Sequence, residues 1–240
     1  MPPSLAETWS WADGAQTLRE ATGATDRVDP VRPRTGGPAG NRRLTAWTGL
    51  VLLLLFLVEL VTVLDVRGLI SWHVVVGCLL IPPALLKTGS TGWRMVRYYT
   101  GNDAYHEAGP PPMLLRLLGP LVVLSTLAVL GTGLALVLIG PDRGRSSILV
   151  PGLSVLFLHK GSFVVWCGAT GLHVLGRIVP ALRIVSGKGA SGGAVSGRGV
   201  RIGVITLAVA TAALLALLVS PKIGAWHLDR PFDRGQVQDR

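Results

Sequence analysis

Charge is scarce in this chain: 15% of its 240 residues are Asp, Glu, Lys or Arg, against roughly 25% in soluble domains. With 49% hydrophobic residues, that shortage excludes an ordinary soluble domain. Acidic residues are the scarcer sign, 13 against 23 basic. In a soluble protein a net charge of +10 would point to nucleic acid. Here the basic residues gather in the tails and in particular loops, and no nucleic-acid motif accompanies them, so nucleic acid is excluded as a partner. Cysteine is limited to Cys78 and Cys167. Both lie in apolar runs with no CxxC or CxxCH around them, which excludes iron–sulfur and covalent c-type haem ligation and leaves both as small core residues. HExxH is absent, as is a dinucleotide fingerprint, which removes a metal-dependent protease and a nucleotide-linked catalytic domain. The chain shows neither an inverted repeat nor a clear pair of broken-helix segments, against a secondary transporter.

What is present is apolar length. Runs at about 44–64, 69–89, 114–139, 151–178 and 202–219 are long enough to cross a hydrocarbon core of about 30 Å. The fold class expected is all-α, a polytopic membrane helical bundle of five transmembrane helices. Residues 1–43, rich in Pro, Gly, Thr and Arg, read as a disordered tail, with no cleavable signal peptide before the first long run at Leu44. Residues 44–178 form the four-helix membrane core. Residues 179–201 read as a basic, Gly/Ser-rich flexible loop, and 202–240 as the fifth helix with a polar tail.

Basic residues set the orientation. The amino-terminal tail, the 87–116 loop and the 177–201 loop together hold 15 Arg and Lys, and the opposite loops and tail hold 7. The positive-inside rule then puts the amino terminus in the cytoplasm and the carboxyl terminus outside, in the cytoplasmic membrane. With this topology the second and fourth spans run in the same direction.

Ionisable residues inside spans are functional-site candidates by default. Glu59 interrupts the first span and reads as lying near the outer interface, hydrogen-bonded or solvated, with a proton relay or a partner to a cofactor edge as the alternative. His73 opens the second span. The stretch LHKGSFVVWCGATGLH in the fourth carries His159 and His173 fourteen positions apart, which on a helix is about 21 Å and a return to within about 40° of the same face. Counted from the basic inner ends Arg94 and Arg177, His73 and His159 differ in depth by less than one turn, so their imidazoles can clamp one haem iron. Gly77 and Gly161 lie close to these ligands and would give a flat macrocycle room. The position matching His173 is Lys87, a poor neutral ligand, so one haem b is expected on His73 and His159, with a second site at His173 left open.

WHVVVGCLLIPPALLK and LHKGSFVVWCGATGLH resemble the transmembrane b-type cytochrome superfamily, over about residues 44–178. The resemblance implies haem b in a four-helix bundle, with electrons passing between a quinone or other reductant and a partner redox protein. It departs from the family's double histidine pair at Lys87. The competing reading is a non-haem anchor or assembly subunit whose histidines make interhelical hydrogen bonds.

Overall fold

The protein is described here from a computed structural model covering residues 11–110, 113–146, 148–150, 153–189 and 195–227. Residues 1–10 of the amino-terminal tail, the centre of the glycine-rich loop at 190–194 and the carboxyl-terminal tail from 228 lie outside the described residues.

In lipid, a backbone with no water to bond must satisfy its own N–H and C=O groups, so each apolar run folds as a helix. Among the described residues, five helices are long and apolar enough to cross a membrane: α2 (Gly37–Leu64), α3 (Ile70–Tyr99), α5 (Met113–Ile139), α7 (Val155–Val185) and α8 (Arg198–Val219). Shorter helices are α1 (Trp11–Ala21), α4 (Asp103–Glu107), α6 (Pro141–Ser146) and α9 (Gly224–His227). The chain is a multi-pass, largely helical membrane protein. One small β ribbon, not expected from the sequence, lies between α6 and α7, where β1 (Ile148–Val150) pairs antiparallel with β2 (Leu153–Ser154).

Four of these helices extend past the apolar runs that announce them. The start of α2 at Gly37 precedes the run at Leu44, α3 continues through Trp93 and Arg97 to Tyr99, α7 reaches Val185, and α8 starts at Arg198. Hydropathy marks where lipid ends; a helix ends where its backbone is capped. The end of α5 shows this: Gly140 adopts φ +82°, its N–H donates to the Leu136 carbonyl at 2.9 Å, and Pro141 begins the next helix.

Residues from Trp11 onward depart from the expected disordered tail. They contain α1 and a set of ionic contacts that polar composition does not reveal.

Contacts divide the chain into two units, and each long helix contributes a segment to both. The first comprises Met1–Val51, Leu85–Val123 and Cys167–Thr206; the second comprises Leu52–Ala84, Leu124–Trp166 and Leu207–Arg240.

In the first unit the centre is ionic. Asp29, whose side chain is 1% exposed, receives Arg94 Nη2 at 2.9 Å and lies 3.6 Å from Arg42 Nε. A second bond from Arg42 reaches Asp26 at 2.9 Å. Arg27 donates to the carbonyls of Ala108 and Pro110, at 2.9 and 2.7 Å. Burial pushes the Arg27 guanidinium below its ordinary value, with Glu20 opposing. Arg183 donates to the Gly23 carbonyl, and Arg201 donates to those of Ser196 and Val195. At Gly197, φ is +80° and an added Cβ would stand 2.8 Å from the Arg34 carbonyl oxygen. Gly197→Ala is therefore expected to destabilise by about 1–3 kcal/mol, from the left-handed backbone and the forced shift together. A thermal unfolding midpoint in detergent equal to that of the parent would show that the turn can relax.

In the second unit the packing is apolar. Val74, Cys78, Val137, Ala216, Val219 and Ile223 form one buried cluster, and Leu52, Leu80 and Ala84 another. Cys78 is the small core residue expected of it, while Cys167 in the first unit is half-buried. Trp166 packs against Phe56 with ring centroids 4.6 Å apart and planes tilted at 54°, and its Nε1–H donates to Thr126 Oγ1 at 3.1 Å. Between helices in lipid, burial gains no transfer from water, so close packing and hydrogen bonds must supply the association.

Candidate functional site

The polar residues of the second unit gather at Glu59 and Thr62 of α2, His73 of α3, Thr132 of α5 and His159 of α7. Glu59 and Thr62 are three apart and so share a helix face. Glu59 Oε1 lies 3.0 Å from His73 Nδ1, and Thr62 Oγ1 is 3.1 Å from the same nitrogen. The Thr62 hydroxyl also donates to the Glu59 carbonyl at 2.6 Å. His73 and Glu59 side chains are 20% and 15% exposed, so much of the pair's interaction is shielded.

His159 is held from α5. Its Nδ1 lies 3.1 Å from the Val129 carbonyl and 3.2 Å from Thr132 Oγ1. The ring sits against Gly133, where an added Cβ would meet Cε1 at 3.0 Å. His73 and His159 do come together, edge to face, with ring centroids 6.2 Å apart and planes at 77°. Nδ1 of each ring is engaged by protein groups, and the cluster brings together an acid, two imidazoles and two hydroxyls from four of the helices long and apolar enough to span a membrane.

His173 and Lys87 belong to the first unit. Lys87 Nζ donates to the Thr45 carbonyl at 3.1 Å, and the missing side chain of Gly49 leaves it room, since a Cβ there would stand 2.8 Å from Nζ. His173 Nδ1 and Thr170 Oγ1 are buried and have no hydrogen-bond partner among the described residues. His106 is exposed and stacks on Tyr98 at 4.8 Å, while His227 Nε2 lies 2.8 Å from Ser71 Oγ.

Haem b, expected from the sequence on His73 and His159 with a second site at His173, is corrected by this arrangement. Among the described residues no group of three or more His, Cys, Asp or Glu side chains is placed to hold a metal ion. The two cysteines offer no ligand pair, both being free, one buried and one half-buried. A Cβ on Gly77 would stand at ordinary contact distance from the Glu59 carboxylate, 3.6 Å from Oε1, and a Cβ on Gly161 would meet nothing within 4 Å.

Residue-type reasoning missed Thr62, Thr132 and Gly133. Thr62 carries a sequence signal, one turn beyond the anomalous Glu59. Gly133 and Thr132 do not, because their role depends on which helix faces α7. Gly133→Val is expected to displace the His159 ring and lower stability by about 1–3 kcal/mol, as overpacking does. An unchanged His159 imidazole resonance in the variant would count against that contact. No known family model matches the chain, and no curated protein and no solved structure matches it either.

Proposed function

We propose that the chain is a non-haem membrane anchor or assembly subunit of a larger complex in the cytoplasmic membrane, with its amino terminus cytoplasmic and its carboxyl terminus outside. The observation that carries this reading is the pairing of Glu59 with His73 at 3.0 Å. An ionisable group at membrane depth is costly unless partnered, and here the partners are protein groups on neighbouring helices. A second observation supports it. Only 17–28% of each span's most apolar stretch is buried within the chain, which leaves extensive apolar surface for lipid and for other subunits. The orientation rests on the 15-to-7 bias of Arg and Lys. Transfer of electrons from a quinone to a redox partner would depend on the haem.

The test is extraction of the tagged full-length chain in mild detergent, followed by measurement of assembly mass and the reduced-minus-oxidised visible spectrum. A stoichiometric second polypeptide is expected, with less assembled complex for His73→Ala and an unchanged spectrum. A 25.3 kDa chain that always runs alone, or a haem spectrum that His73→Ala abolishes, would overturn the reading. Reporter fusions at the two termini should report opposite sides of the membrane.

A further inference from the structure

Helix α1 is built inside out for a surface helix in water. Trp11, Ala15 and Leu18, at positions i, i+4 and i+7, lie on one face, and all three are exposed, Trp11 at 85% and Leu18 at 67%. Thr17 and Glu20 on the other face are buried, at 6% and 7%. A helix packed on a soluble body turns its apolar stripe inward; this one turns its polar stripe inward and its apolar stripe out. The segment after it continues the pattern, with Val28 70% and Val31 49% exposed. Within the first unit, contacts with α7 hold α1 and the turn after it: Arg177 faces Glu20 of α1 at 4.0 Å, and Arg183 bonds the carbonyl of Gly23, two residues past its end. Both arginines belong to a spanning helix, so α1 is tethered beside the polar end of a span. That unit also carries most of the protein's charge, with 15 basic and 7 acidic residues giving +8 of the total +10.

We propose that α1 lies in the headgroup layer of the membrane its own spans cross, with Trp11 and Leu18 inserted at the acyl boundary and anionic lipid strengthening the contact. Tryptophan belongs at that depth. An apolar stripe flanked by a basic residue, here Arg19, is what an in-plane interfacial helix presents. The charge of the first unit complements an anionic leaflet. A second copy of the chain or another protein covering the same stripe would be the rival occupant.

The test uses the full chain with Cys78→Ser and Cys167→Ser, labelled with an environment-sensitive fluorophore at Leu18→Cys or, for comparison, at Gln16→Cys. The labelled proteins are placed in nanodiscs of phosphatidylcholine alone or mixed with phosphatidylglycerol. The Leu18 label is expected to be quenched by shallow spin-labelled lipid and protected from iodide. Its partition into lipid should rise about fivefold with anionic lipid, the ratio that about 1 kcal/mol per basic residue near the surface gives, and fall again in high salt. Equal iodide quenching at the two positions in both lipids would overturn the proposal. So would protection without lipid quenching, since a protein would then be the cover. In the unmodified chain, amide exchange over residues 11–21 should slow in the anionic discs. No difference between the two compositions would overturn the role of lipid charge even if the cysteine-substituted protein failed to fold.

Discussion

Asp29→Ala is expected to lower the stability of the protein by about 3–5 kcal/mol, the cost of breaking a buried ion pair and leaving its partners charged. The carboxylate is 1% exposed and lies between two guanidinium groups, Arg94 at 2.9 Å and Arg42 at 3.6 Å. Its removal leaves like charges facing one another in a region that already half-buries Arg27. Asp29→Asn keeps the shape and part of the hydrogen bonding, so a smaller loss is expected. Unfolding midpoints measured in one detergent for the three proteins give the comparison. A midpoint for Asp29→Ala close to the parent's would mean that the arginines find water or each other's carbonyls at little cost, and the ionic centre of the first unit would have to be reassigned.

The second large effect concerns Glu59 and His73. Either substitution alone, Glu59→Ala or His73→Ala, orphans a polar group at membrane depth and is expected to cost about 1–3 kcal/mol. The double substitution removes both partners and should cost less than the sum. Coupling in such a cycle is expected at about 0.5–3 kcal/mol, as for residues in one hydrogen-bond network. Additive losses would mean that Thr62, not Glu59, is the group His73 depends on, and Thr62→Val would then reproduce the His73→Ala loss.

The five spans were legible because lipid imposes one rule on every residue: apolar side chains over about 20 positions and a self-satisfied backbone. The depth match of His73 and His159 was legible for the same reason, since depth follows from counting along helices, and the two rings do meet. What the rings bond to was not legible. Glu59 stood out by its charge, but that its carboxylate reaches His73 depends on the rotation of α2 against α3, which helical spacing on one segment does not fix. The ionic contacts of residues 20–42 were hidden for a different reason. Hydropathy registers Asp26, Asp29 and Arg42 as polar in any setting, and Arg94, which pairs with Asp29, lies far away in the chain, as does Arg183, which bonds the Gly23 carbonyl. A polar segment without periodicity reads as disordered until its counter-charges are placed.

Those long sequence separations set a schedule for synthesis. The segment from Glu20 to Arg42 leaves the ribosome before its distant partners, which emerge in sequence: Arg94 for Asp29, then the carbonyls of Ala108 and Pro110 for Arg27, and last Arg177 for Glu20 and Arg183 for the Gly23 carbonyl. Asp29 cannot meet Arg94 until α3 has been made and inserted. The final two contacts wait for α7. The amino-terminal segment is thus fastened stepwise by helices translated after it, and a nascent chain stalled before Arg177 would hold Glu20 without that ion pair. In this unit, residues translated ahead of their distant partners are among the last to complete their bonding.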